Sequence, residues 1–101
     1  MSYRLRLYAY EDASEGELRA AEQRFRTALE AALGHESLVL PVYNAYMRLV
    51  ATYGEAPAED VLSSDELEVF SQWQAAELAA VTAALGPNRY MGDAQFEIRL
   101  A

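Results

Sequence analysis

Residues 2–10, SYRLRLYAY, alternate strictly between two kinds of side chain. Tyr3, Leu5, Leu7 and Ala9 fall on one side, and Arg4, Arg6, Tyr8 and Tyr10 on the other. A period of two with aromatic enrichment is the mark of a strand with one face in the core and one in water. A second stretch at the other end of the chain, residues 94–100 (AQFEIRL), sets Ala94, Phe96, Ile98 and Leu100 against Gln95, Glu97 and Arg99. It reads as a closing strand. The long periodic segments between these two stretches are helical, so the ends decide the fold.

The first helix is the plainest. Ser14 and Glu17 have capping-box spacing. Leu18, Ala21, Phe25, Ala28, Leu29, Ala32 and Leu33 then form one stripe, with Arg19, Gln23, Arg26 and Glu30 opposite. Glu15–Arg19 and Glu22–Arg26 are i,i+4 pairs, each worth a few tenths of a kcal/mol. Gly34 supplies a left-handed stop. A second helix is expected from about Pro41 to Tyr53, since proline suits a first turn and Val42, Tyr46, Leu49 and Tyr53 share an arc widened by Tyr43, Met47 and Val50. Residues 54–62 (GEAPAEDVL) form a loop too short to link domains. Ser63-Ser64-Asp65-Glu66 is a second capping box, opening a third helix from about Asp65 to Leu85 that ends at Gly86-Pro87. Its broad apolar arc (Leu67, Val69, Phe70, Trp73, Leu78, Ala80, Val81, Ala84, Leu85) marks a central helix touching both others. Residues 88–93 (NRYMGD) read as a turn-rich loop without a phosphate-cradling glycine pattern.

The expected fold is therefore α+β, in the order β-α-α-α-β, with three helices on one face of a small sheet made by the N- and C-terminal strands. One hundred and one residues form one domain, and a chain of this size buries roughly two-thirds of its surface. If each helix reverses direction, the last strand arrives parallel to the first, and an isolated two-stranded parallel sheet is weak. Three ways out are open: antiparallel pairing through another helix arrangement, a third strand from Leu38–Leu40, or an edge strand paired across a dimer. On the solvent face, Arg4 and Arg6 are expected opposite Glu97.

Composition limits the chemistry. There is no cysteine, hence no disulfide framework and no thiolate. One histidine, His35, makes a transition-metal site improbable, and Glu59, Asp60 and Asp65 lack the loop spacing of a calcium-binding EF-hand. No cofactor is expected. No apolar run approaches the ~18 residues of a membrane span, and the start of the chain lacks a signal peptide's pattern, so a cytoplasmic location is expected. An all-arginine basic set with abundant alanine suggests bacterial coding bias.

The formal charge is −8, which disfavours direct nucleic-acid binding by counterion release. No basic residue lies between Arg48 and Arg89, where the acids Glu55, Glu59, Asp60, Asp65, Glu66, Glu68 and Glu77 collect. The plain account of such a run is a solvated surface. The other account is a patch that steers a basic partner.

Seven tyrosines give the chain many interface-prone side chains. Tyr43, Tyr46 and Tyr53 are best placed at the edge of the core; Tyr8 and Tyr10 are equally suited to docking. The function that follows is binding of another protein as a regulatory or accessory module without catalysis. Its surface would be Arg4, Arg6, Tyr8 and Tyr10 on the outer strand face, or Asp65, Glu66 and Glu68 at the acidic start of the third helix. A sharper variant is an acidic, nucleic-acid-mimicking inhibitor of a basic partner. The rival from another class is a small enzyme or ligand-binding domain with a tyrosine-lined pocket between the second and third helices. Glu77 would be its titrating group, because a carboxylate inside an apolar arc has the profile of a general acid.

Overall fold

The computed structural model describes residues 3–10, 12–87 and 94–100. Strand β1 (Tyr3–Tyr10) is followed by helices α1 (Glu15–Leu33), α2 (Val39–Tyr53) and α3 (Ser64–Leu85), and strand β2 (Ala94–Leu100) closes the order. Short 3-10 turns, Glu36–Leu38 and Glu59–Val61, precede α2 and α3. The loop expected at residues 88–93 lies outside the described residues.

The local chemistry sets most of these boundaries. Ser14 Oγ accepts from the Glu17 amide at 3.2 Å, and Glu17 reaches back to the Ser14 amide. Ser63 and Glu66 repeat this reciprocal cap at α3, with the Ser63 amide donating to Glu66 Oε1 at 2.9 Å. Gly34 closes α1 at φ 100°, a left-handed geometry that costs a glycine little. α2 begins two residues earlier than proline placement suggests. Pro41 occupies its third position, where the absent N–H is one of the first-turn amides that have no intrahelical acceptor anyway. Leu38, Val39 and Leu40 therefore form no third strand: Leu38 ends a 3-10 turn, while Val39 and Leu40 are buried in the first turn of α2.

The terminal strands pair antiparallel, not parallel. The register is Tyr3–Leu100, Arg4–Arg99, Leu5–Ile98, Arg6–Glu97 and Leu7–Phe96, then Ala9–Gln95 and Tyr10–Ala94, leaving Tyr8 as an extra residue at a bulge. The direction follows from how the helices pack. α1 and α3 form the most extensive contact of the molecule, and α1 barely meets α2. α2 thus links the two long helices instead of adding a third reversal, and one fewer reversal turns the last strand around. α3 is central as expected, touching both other helices.

The core lies between the inner sheet face and the helices. Tyr3, Leu5, Leu7 and Ile98 pack on Leu18, Phe25, Leu29 and Leu33 of α1 and on Trp73, Ala76, Ala80 and Ala84 of α3. Trp73 is fully buried, its ring near Tyr43 and Tyr46 of α2. Leu78, assigned to the apolar arc of α3, is instead 57% exposed. It sits about 140° around the helix from Trp73 at 100° per residue, beyond the reach of either neighbour.

These positions separate in energy. Trp73→Ala is expected to cost about 3–5 kcal/mol, the range for a buried aromatic, and Leu78→Ala less than about 0.5 kcal/mol. Urea unfolding of the two variants checks this; similar losses at both positions would contradict the packing described.

Candidate functional site

The outer face of the sheet gathers the strand candidates. Arg4, Arg6 and Tyr8 of β1 stand beside Glu97 and Arg99 of β2, and Arg4, Arg6, Tyr8, Arg99 and Glu22 line a cleft of about 420 Å³. The Tyr10 backbone ends β1, but its side chain lies outside the described residues. Tyr8 is half exposed at the bulge, its hydroxyl donating to Glu97 Oε2 at 2.7 Å. That bond favours the neutral phenol and raises the Tyr8 pKa.

The expected charge pairing holds for one arginine. Arg6 lies opposite Glu97 in register, although its guanidinium reaches Glu15 at 3.7 Å. Arg4 lies opposite Arg99, not Glu97. The antiparallel register counts 99 against 4, and like charges directly opposite destabilise a ladder. Arg99 is compensated by Glu97 at 3.2 Å. No carboxylate among the described residues forms an ion pair with Arg4.

A feature the sequence did not flag controls the free side of β1. The Leu7 amide donates to Glu22 Oε2 at 2.8 Å, and Arg19 donates to the Leu7 carbonyl at 2.7 Å. Arg19 also pairs with Glu22, and with Glu15 at 3.0 Å. The expected Glu22–Arg26 pair is replaced: Glu22 serves the strand, while Arg26 covers the Tyr3 ring at 4.5 Å and meets Glu30 at 3.7 Å. Burial pushes the Tyr3 hydroxyl up to about 12, against the opposing charge of Arg26. Glu22 borders the α1 stripe, one turn after Leu18 and beside Ala21; a carboxylate at the margin of an apolar face was the available signal.

The acidic candidates are only partly brought together. Asp65 and Glu66 line a cleft of about 350 Å³ with Ala45, Arg48, Leu49, Thr52 and Val69. Glu68 is exposed and not part of it. The Glu66 carboxylate is held by the Ser63 amide, which lowers its pKa, and it accepts weakly from the Tyr53 hydroxyl at 3.4 Å. It is a capping group first. A third cleft, of about 360 Å³, lies between α1 and α3 against Gln23, Arg24, Thr27, Ala28, Ala31 and Ala83.

Glu77 is half-buried, and burial raises its pKa. The Trp73 side chain opposes that shift, and the charge of Glu77 in turn raises Tyr43 and Tyr46, both already raised by burial. The tyrosines and the carboxylate expected between α2 and α3 are therefore neighbours, and Trp73 lies among them. The aromatic rings there pack against one another, with Tyr43–Trp73 centroids 5.0 Å apart and Tyr46–Phe70 5.1 Å apart. None of the three clefts described above is lined by Glu77. Among the described residues no three His, Asp or Glu side chains gather in a metal-binding group. His35 caps the turn before α2, its Nδ1 accepting from the Ser37 amide at 3.0 Å. No helix among the described residues is long and apolar enough to cross a membrane.

Comparison with known proteins finds no matching family model, no matching curated protein and no matching solved structure.

The raised pKa of Glu77 has a signed consequence. Its folded value lies above the unfolded one, so ionisation costs the folded state. The cost is absent below the unfolded carboxylate range and grows as pH rises through the folded value. Glu77→Gln removes it. The variant should show a higher urea midpoint than the parent at pH 7 and a much smaller advantage at pH 4. Equal differences at both pH values would contradict a desolvated Glu77.

Proposed function

We propose that this chain is a cytoplasmic, non-catalytic accessory module that binds another protein, and that its docking face is the outer side of the terminal sheet. The observation that carries the reading is Arg4 opposite Arg99, with Arg6 and Tyr8 lining the same cleft. Two like charges facing each other across a ladder oppose folding. An acidic segment laid over them would turn that local cost into binding, and Tyr8 offers the amphipathic contact that interfaces favour. The partner chemistry is thus a short acidic segment, not the basic partner that net charge alone suggests. A short segment meets only the arginine face, whereas a long polyanion would also meet the surrounding surface of a protein with charge −8. The acidic cleft at Asp65 and Glu66 is the weaker candidate because Glu66 is engaged in its own cap. For Glu77, its tyrosine neighbours support a packing role.

Fluorescence anisotropy of a labelled octa-glutamate peptide tests the reading. Weak binding that declines with added salt is expected, reduced roughly three- to tenfold by Arg4→Ala with Arg99→Ala and unchanged by Glu77→Gln. Binding indifferent to the arginine substitutions would sink the proposal. Tighter binding of a single-stranded RNA of equal length through the same residues would replace it with a nucleic-acid function.

A further inference from the structure

The two edges of the sheet are not equivalent. Because the Leu7 amide and carbonyl are held by α1, the Leu7–Phe96 pair is a non-hydrogen-bonded one. The alternation of an antiparallel ladder then makes Arg6–Glu97 and Arg4–Arg99 the bonded pairs. The backbone groups of Phe96, Ile98 and Leu100 must consequently face away from β1. No side chain among the described residues hydrogen-bonds to the backbone of Phe96 or Ile98 from that side. α2 is the helix that packs on β2, and it does so less extensively than α1 packs on β1.

We infer that β2 is a self-pairing edge, and that two copies of this chain join through it into a four-stranded antiparallel sheet ordered β1-β2-β2-β1. Charge self-complementarity makes a second copy the occupant. With a two-fold axis through Ile98 and normal to the sheet, Ile98 meets its own copy, and Phe96 stands in register with Leu100 of the other chain. All three positions carry outward backbone groups. Glu97 then lies opposite Arg99 of the second copy, twice over, at the non-hydrogen-bonded positions where side chains are closest. Shifting the axis to Glu97 or to Arg99 sets one of those charges against itself. Intermediate positions turn the apolar faces to opposite sides. The Ile98-centred register alone brings the opposite charges together, and it places the helices of both copies on one side.

The same geometry explains why assembly stops at two. Both outer edges of the four-stranded sheet would be β1, and each is blocked at Leu7 by Arg19 and Glu22. The contact is isologous and closes. Four strands also match the commonest size of a sheet, whereas an isolated two-stranded one is marginally stable. This inference does not rest on the acidic-segment reading, although Arg99 belongs to both surfaces: the pairing is carried by the backbone edge of β2, and the docking reading by Arg4 and its neighbours on the outer face.

Sedimentation equilibrium on the intact chain tests it. The parent protein is expected to be a dimer at tens of micromolar. Glu97→Arg should weaken association by about tenfold or more, because two attractive pairs become repulsive. Adding Arg99→Glu in the same chain restores opposite charges across the axis and should recover the dimer. Tyr8→Phe, which removes only the hydroxyl bonded to Glu97, should leave it intact. Hydrogen exchange of the parent supplies a readout without substitution: the Phe96 and Ile98 amides should be protected at high concentration and exchange faster on dilution. A monomeric parent, a Glu97→Arg variant as dimeric as the parent, failure of the double reversal to rescue, or concentration-independent exchange at Ile98 would each overturn the inference.

Discussion

The rest of the structure depends on how one strand residue is held from outside its sheet. The Leu7 backbone is gripped by two side chains of α1, Glu22 accepting its amide and Arg19 donating to its carbonyl. Hydrogen bonds to charged groups contribute about 1.5–3 kcal/mol each, and both side chains here are partly shielded from water. The grip fixes β1 against α1 and decides which backbone groups of the strand remain for β2. With the odd positions turned outward, Arg4 and Arg6 carry the ladder bonds, and the antiparallel register places Arg4 against Arg99.

Two surfaces follow from that single arrangement. On the outer face, the register concentrates arginines within a chain that is otherwise strongly acidic, and the bulge at Tyr8 adds an aromatic group beside them. On the far edge, the register leaves β2 with outward backbone groups flanked by one acid and one base. The core beneath is ordinary: Tyr3, Leu5, Leu7 and Ile98 cover Phe25, Leu29 and Trp73, without a buried charged residue in the described part of the molecule.

Much of this was legible in the sequence because it is local. The alternation at residues 3–8 specifies a strand with one buried face, and Ser14/Glu17 and Ser63/Glu66 mark helix starts by side chains three residues apart. Strand direction was not legible. It depends on whether α2 reverses the chain or merely links α1 to α3, and the apolar arc of α2 is compatible with both. Leu38–Leu40 was ambiguous for a related reason, since three apolar residues in a row carry no period. The clamp on Leu7 spans twelve to fifteen residues and joins side chain to backbone, which periodicity does not register. Of the candidate site residues, Arg4, Arg6 and Tyr8 lie together on one cleft, whereas Asp65, Glu66 and Glu68 are divided between a capping role and open solvent. Glu77 was recognisable as an acid in an apolar arc, but its tyrosine and tryptophan neighbours became visible only in three dimensions.

The central claim is that the chain ends pair antiparallel with Leu7 facing α1. Nuclear Overhauser contacts between α-protons address it most directly, because α-protons approach one another only at non-hydrogen-bonded antiparallel pairs. The account predicts such contacts for Leu5–Ile98 and Leu7–Phe96 and none for Arg6–Glu97. Contacts at Arg6–Glu97 instead, or none between the two ends, would contradict it.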